Sequence, residues 1–462
     1  MVIKNNINLI NKIEKLLKDI LPIKLGVNKK NEIIRLIYEI SQAHSISPGD
    51  VLKKIDLSSF IEDGKGELFH KIKNALLEVR YPSFGLSGDP HIMPVKLDHK
   101  HSECPAWDFE IHPKRIFIEK DIKDLDWTKG FLDNFSDVDN IEIDNINKWR
   151  EFIPSRGGVE RYNARRENIF LVKSKAAFIK ACPCTKKCVR CGYWILNIGF
   201  GCPIDCSYCY LQTYSNAPGL VLNANIDDYL TQIEGYDKKA KKKVRIGTGE
   251  FTDSLALDRY TKYSSYLIPH FKNTKNLVLE LKTKIADIDN VLSEEAHDNV
   301  VISWSMNTRR MAELYEKGGA GITERIEAAR KAAGKGYKIG FHFDPIIYYN
   351  GWEKDYKAIV EEMFSWDEIR KNTVWISLGS LRYTPGLKQA AEERFSDNLV
   401  YYKGEFFMDI DGKLRYPRAL RTEMYNNMIE WIRSFTGSAW IYLCMEPEDL
   451  WTETVLTAKE YK

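Results

Sequence analysis

Tyr193-Trp194-Ile195-Leu196-Asn197-Ile198-Gly199-Phe200-Gly201-Cys202-Pro203-Ile204-Asp205-Cys206-Ser207-Tyr208-Cys209-Tyr210 runs from an apolar, β-branched and aromatic stretch into a glycine and three cysteines. The apolar part predicts a strand. The C-x3-C-x2-C spacing then places three thiols on one loop at the strand's end. Three thiolates cap three irons of a cubane cluster and leave the fourth iron without a protein ligand. That open iron suits a small chelating molecule. Structural zinc prefers paired C-x2-C knuckles, and an electron-transfer cluster needs a fourth cysteine elsewhere.

Outward from this stretch, strand and helix signals alternate almost to the end of the chain. GYWILNIGF, KKVRIGTG, LVLELKTK, VVISWSMN, YKIGFHFDPII, VWISLGS and SAWIYLCM read as strands. Helical patterns such as GITERIEAARKAAGKG and DYKAIVEEMFSW lie between them. Alternation of this kind implies parallel strands with right-handed crossovers. The fold class expected is α/β: a partial (β/α) barrel, whose chemistry sits at the carboxyl ends of the strands, with an N-terminal helical extension. RIFIEK, DWTKGFLDNF and NIEI begin the pattern at residue 115. The expected organisation is a helical accessory region at 1–85, an irregular linker at 86–114, a Cys-rich lead-in at 115–192 and the barrel at 193–462. NEIIRLIYEISQAHS and ELFHKIKNALLEV carry the helical periodicity of the first region. The linker holds His91, His99, His101, Cys104 and His112, in spacings that match no established metal site, so it reads as a surface loop.

Composition bounds the class. The 462 residues are 44% apolar and 29% charged, with a net charge of +3. That charge is too weak to mark a nucleic-acid binder by itself, although Lys238 to Arg245, KKAKKKVR, is locally basic. No stretch approaches the ~20 apolar residues of a membrane span, and a cytoplasmic location is expected. Of nine cysteines, seven fall between Cys182 and Cys209. An odd and crowded set in an intracellular chain argues for metal ligation over disulfides.

The strand ends add polar residues that are costly unless they face ligand or water. They are Gly247-Thr248-Gly249-Glu250, Lys282 and Lys284, Ser303, Ser305 and Asn307, and His342 and Asp344. Glu250 suits a ligand ammonium and the lysines suit a carboxylate. In the radical S-adenosylmethionine (SAM) reading of the open cluster, the methionyl amine and carboxylate of SAM take the fourth iron. One electron then cleaves the sulfonium bond to give a 5′-deoxyadenosyl radical.

With these residues in hand, the chain resembles the spore photoproduct lyase family of radical SAM proteins, which repair a thymine dimer in DNA. GCPIDCSYCYLQTY, ELKTK, ISWSMN, ITERIEAARKAAGKGYKIGFHFDPII and SLGSLRYTP carry the likeness. It implies a [4Fe–4S] cluster on Cys202, Cys206 and Cys209, and SAM held by Lys282 or Lys284 with Ser305; Glu250, Thr252 and His342 are further SAM-binding candidates in this chain. It also implies Tyr208 and Tyr210 beside the cluster, and Arg382 and Tyr383 near the substrate. DNA is the implied partner, with a reductase, flavodoxin or ferredoxin as electron donor. The family's hydrogen-donating cysteine, at the end of the second strand, falls at Glu250 or its neighbour here. A carboxylic O–H is too strong a bond to serve as that donor, so the chain reads as a divergent member.

Cys182, Cys184, Cys188 and Cys191 form a second group. They read either as ligands of an auxiliary Fe–S cluster or zinc, or as packing and redox thiols that include the missing donor. Cys444, at the end of the last strand, is a further donor candidate because that end faces the active site, and Tyr208 and Tyr210 are the other catalytic candidates. Tyr208, Tyr210, Tyr214, Tyr383 and the basic run would serve stacking and phosphate contacts with a damaged or modified base. Two other functions compete: radical modification of a peptide or small metabolite, and a non-catalytic Fe–S protein that senses redox state or binds DNA.

Overall fold

A computed structural model of the chain describes residues 2–21, 24–55, 57, 65–82, 110–153, 158–175, 177–185, 187–214, 217–395, 398–409 and 411–456. His91, His99, His101 and Cys104 lie outside them; His112 is exposed just ahead of the first strand.

Four helices open the chain: α1 (Val2–Ile20), α2 (Val27–His44), α3 (Pro48–Lys53) and α4 (Lys65–Arg80). Sixteen strands follow among the described residues. They are β1 (Arg115–Glu119), β2 (Asp139–Ile143), β3 (Asn168–Val172), β4 (Ile179–Ala181), β5 (Trp194–Leu196), β6 (Gly199–Phe200), β7 (Leu220–Asn223) and β8 (Val244–Gly247). Then come β9 (Leu277–Thr283), β10 (Val300–Ser305), β11 (Lys338–Ile346), β12 (Thr373–Ser380), β13 (Arg382–Tyr383), β14 (Phe407–Met408), β15 (Leu414–Arg415) and β16 (Trp440–Leu443).

The largest sheet has the order β16-β12-β11-β10-β9-β8-β5-β4. Its members from β5 to β16 are mutually parallel and β4 adds an antiparallel edge. This is the expected α/β half-barrel of the radical SAM type. Helices Tyr263–Lys272, Ile322–Gly334, Trp352–Phe364 and Arg418–Arg433 cover its outer face with apolar stripes.

The stretch around residue 197 departs from the periodic reading. GYWILNIGF is not one strand: β5 belongs to the large sheet, whereas β6 pairs antiparallel with β7 in a second sheet of order β2-β1-β3-β7-β6. The side chain of Asn197 accepts from Gly199 N–H at 3.2 Å, and its carbonyl takes the Tyr229 hydroxyl at 2.6 Å. The ladder is broken there and the chain crosses between sheets. β6 and β7 lie beyond residue 193, so a boundary at that point does not separate the two sheets.

The N-terminal helices share the barrel's apolar core: Ile13, Ile37, Ile72 and Leu76 join the same buried cluster as Ile302 and Phe341. Buried charges lock the contact. Arg80 pairs with Glu405 at 2.7 Å, Tyr81 bonds the same carboxylate, and Arg35 donates to the carbonyl of Tyr402.

Candidate active site at the barrel mouth

Inside the half-barrel, alternate residues point inward in cross-strand rows. One row pairs Lys282 with Ser303, Gly340, Trp375 and Trp440; the next pairs Ser305 with His342, Ser377 and Tyr442. Glu280 lies fully buried beneath them and accepts from Ser303 Oγ (2.6 Å), His342 Nε2 (2.8 Å) and Trp375 Nε1 (2.7 Å). Burial alone would raise this carboxyl; the imidazole of His342 and the guanidinium of Arg245 outweigh it and hold Glu280 well below the usual range. Burial keeps His342 below its ordinary value, so its imidazole serves Glu280 as a neutral N–H donor. Gly340 is required here, because a Cβ would overlap Ser303 Oγ and the Trp375 indole. Arg245 is boxed by Tyr193, Trp375, Trp440 and Tyr442, each ring centroid within 5.6 Å. Neither Glu280 nor this box was expected, since their signal is only alternation inside strands, and Arg245, read as the end of the basic run, packs here beside Glu280.

The cluster loop crosses the carboxyl ends of the strands. Asp205 adopts a left-handed backbone (φ 63°) at its centre, and its buried carboxylate pairs with Arg165 (2.7 Å) and with both oxygens to Arg394 (2.6 and 2.7 Å). Arg165 also donates to the carbonyl of Cys202 (3.0 Å). Gln212 ties down the carbonyls of Ser207 (3.0 Å) and Cys209 (3.1 Å), and Arg394 holds Gln212 at 2.6 Å. On the inner side Tyr208 is buried with its hydroxyl on Glu316, which also takes Lys284 (3.0 Å) and Arg325 (2.6 Å).

Burial pushes the Cys202 thiol up to about 12 and raises Cys206 and Cys209 as well. Buried thiols with raised values release their protons when a metal replaces them. Among the described residues no three Cys, His, Asp or Glu converge on a single ion. A cubane asks for something else, one thiol per iron, and three free cysteines on a rigidly clamped loop fit it.

The other expected residues divide. Lys282 is half-buried at the mouth, and among the described residues it makes no ion pair. Burial would lower it, but Glu250, Glu280 and Asp344 keep it cationic. Glu250 stands beside it and takes the Tyr210 hydroxyl on its side chain (3.0 Å) and its carbonyl (2.5 Å). Lys284 faces Glu316 and Tyr208, under the loop. Thr252 is buried, with Oγ1 on the carbonyl of Asp253 (3.3 Å). Ser305 is buried one row above Ser303, and its carbonyl accepts from Arg325 (2.9 Å). Arg382 is at the mouth in a two-pronged bond to Asp344 (3.0 and 3.2 Å), with Cys444 Sγ at 3.7 Å. Burial and Asp344 raise the Cys444 thiol, so it stays S–H. Tyr383 is not exposed for stacking; its ring is buried against Tyr401 and Phe406. Gly247 and Gly249 are fixed by packing: a Cβ at Gly247 would strike Tyr193, and one at Gly249 would meet Lys282 Cβ at 2.9 Å.

The basic run also falls elsewhere. Lys238 to Lys243 precede β8, at the amino end of the parallel strands, whereas the cysteine loop and Glu250 lie at the carboxyl end. Tyr210 and Tyr214 do remain open, 36% and 61% exposed, with rings edge-on at 5.5 Å.

Cys182 and Cys184 stand 3.4 Å apart, sulfur to sulfur, and Cys191 touches Arg245 at 3.4 Å. Cys188 bridges to Pro447, and Val189 donates to the carbonyl of Glu446 (3.0 Å). The segment thus straps from β4 to the end of β16, the two edges of the open barrel.

A seven-stranded parallel half-barrel with three free cysteines at its mouth defines a radical SAM enzyme. The spore photoproduct lyase family model matches residues 111–411, and the chain belongs to that family. Spore photoproduct lyase of Geobacillus sp. (strain Y412MC61) is 26% identical over 341 residues, covering 71% of this chain and 97% of its own. That of Clostridium acetobutylicum is 26% identical over 279 residues, 60% of this chain and 80% of its own. A solved spore photoproduct lyase complexed with dinucleoside spore photoproduct superposes with a TM-score of 0.63 at 22% identity, covering 72% of this chain and 99% of its own. A variant of that enzyme with bound AdoMet and the same dinucleoside gives 0.62 at 22% identity, with the same coverage of both chains.

Proposed function

We propose that the chain repairs a cross-linked pyrimidine lesion in DNA of the spore photoproduct kind, by radical SAM chemistry at the barrel mouth. The observation that carries this reading is the mouth itself, where the clamped three-cysteine loop shares the carboxyl ends of the strands with Lys282, a cationic lysine that makes no ion pair among the described residues, and with the protonated thiol of Cys444 just after β16. Relatives named for that activity, and a related fold holding both AdoMet and the dinucleoside lesion, support it.

In this reading Cys202, Cys206 and Cys209 hold a [4Fe–4S] cluster, which when bound supplies the single electron that cleaves SAM. Lys282 takes the methionyl carboxylate, since Lys284 is spent on Glu316. Glu250, fixed by Tyr210, faces the methionyl amine. Asp344 orients Arg382 toward substrate phosphate, and Tyr210 and Tyr214 offer ring faces to the bases. Cys444 is a protonated thiol at the mouth, and an S–H bond is weak enough to return hydrogen to a product radical. The reconstituted protein is incubated with SAM, a strong one-electron reductant and lesion-bearing DNA, and the products are followed by mass spectrometry. Loss of the lesion with SAM cleavage supports the reading. Cleavage of SAM with the lesion untouched would move the substrate to another class.

A further inference from the structure

Cys182 and Cys184 lie at the mouth but outside the cluster loop, and the repair reading does not use them. Cys184 N–H donates to the carbonyl of Cys182 at 2.8 Å, a three-residue γ-turn centred on Pro183, whose ring presets the φ such a turn needs. The turn is anchored on both sides: Cys182 N–H reaches Tyr193 (3.1 Å), and the Thr185 hydroxyl reaches Asp411 (3.1 Å) and accepts from Lys413 (3.1 Å). Both thiols are partly exposed. Their 3.4 Å separation has to close to about 2.05 Å for a disulfide, less than an ångström of movement from each sulfur.

The surroundings make the two thiols unlike. Cys184 is held down to about 7 by its bond to Cys182, with Arg190 and Arg382 adding to it against Glu250, while Cys182 is pushed up by the same bond and by burial. Cys191 Sγ is in contact with Arg245, and the backbone of Cys188 is bridged to Pro447. Among the described residues, therefore, the four cysteines do not form one single-ion site.

We propose that Cys182 and Cys184 form a reversible dithiol–disulfide couple at the barrel mouth, exchanging with low-molecular-weight disulfides. Cys184 thiolate attacks one sulfur of RS–SR, the Cys184–SR bond forms and RS⁻ departs with the electron pair. Cys182, having lost its proton, then attacks the Cys184 sulfur and expels the second RS⁻. The pair gives up two electrons and two protons, and RSSR becomes two RSH. Cys184 is the attacking sulfur because the thiolate is the nucleophile. The couple does not depend on SAM or on any nucleic-acid substrate.

Trypsin releases these two cysteines alone, in the peptide Ala181–Lys186. Full-length protein isolated anaerobically is equilibrated in glutathione buffers from reducing to oxidising, alkylated, digested and weighed. The expected result is conversion of this peptide to a form lighter by two hydrogens, reversed on reduction. In Cys182→Ser the remaining thiol should react with glutathione disulfide at pH 7 at least about fivefold faster than the remaining thiol of Cys184→Ser. The serine hydroxyl keeps a donor beside Cys184, so circular dichroism need only show that both variants are folded. Three results would overturn the proposal: both thiols still alkylated in the most oxidising buffer, a disulfide to another cysteine, or both thiols shielded by a stoichiometric metal that a chelator removes. Equal rates in the two variants would overturn the assignment of Cys184 as the attacking sulfur.

Discussion

Asp205 shows how much of the site depends on one side chain that carries no chemistry of its own. It joins two buried arginines, one bonded to the Cys202 carbonyl and the other to Gln212. Asp205→Asn leaves both guanidinium groups buried with their charge uncompensated, a loss of about 3–5 kcal/mol. The variant should unfold at lower urea and retain fewer irons per chain after reconstitution; full iron with lowered stability would limit Asp205 to the fold. The two lysines can be separated in the same way. Losing a charge-assisted hydrogen bond costs roughly 1.5–3 kcal/mol, so Lys282→Met should weaken SAM binding about tenfold or more. Lys284→Met should chiefly destabilise the protein, by removing a partner of buried Glu316. Titration of SAM alongside urea unfolding distinguishes the two, and SAM affinity unchanged in Lys282→Met would discard its proposed role. The sequence exposed the cysteines because their spacing is chemistry by itself. It hid Asp205, Arg165 and Glu316, because partners up to 189 positions apart meet only in the folded chain.

At the level of elements, the seven parallel strands were legible because each is a short apolar run bounded by a helix or a turn. The second sheet was only half legible. β6 is two residues long and follows β5 after two residues, so composition alone joins them; what divides them is the hydrogen bonding of Asn197. The interior of the large sheet makes its own prediction about pH. Glu280 has a folded value below its unfolded one of about 4.3. Below that unfolded value the unfolded chain binds the proton and the folded chain does not, so the contribution of Glu280 is full above about pH 4.5 and fades as pH falls. His342 acts in the same direction at higher pH, since its folded value is below about 6.5. Stability should therefore decline from pH 7 to 4 in two stages. His342→Gln should remove the upper stage and Glu280→Gln the lower, as read by urea unfolding at a series of pH values. An upper stage unaltered in His342→Gln would assign that titration to another group.

Over the whole molecule, the position of charge and aromatic surface decides which face meets nucleic acid. From sequence, KKAKKKVR is the obvious phosphate-binding run, but Lys238 to Lys243 precede β8, at the opposite end of the barrel from the cysteine loop, and Arg245 lies within β8 among aromatic rings. The exposed Tyr210 and Tyr214 follow that loop directly and share its face. Stacking a base on an aromatic ring is worth about 1–3 kcal/mol, so Tyr214→Ala should weaken binding of lesion-bearing DNA roughly 5- to 150-fold. Replacing Lys241, Lys242 and Lys243 together with glutamine should change it less than about twofold at physiological salt. The salt dependence is the stricter measure. Each phosphate-bound lysine contributes about 0.9 to the slope of log affinity against log salt on duplex DNA. Three lysines in contact would lower the slope by about 2.7, whereas three on the far face leave it unaltered. A reduced slope in the triple variant, with wild-type affinity in Tyr214→Ala, would place the DNA on the amino-terminal face and separate the binding surface from the cluster.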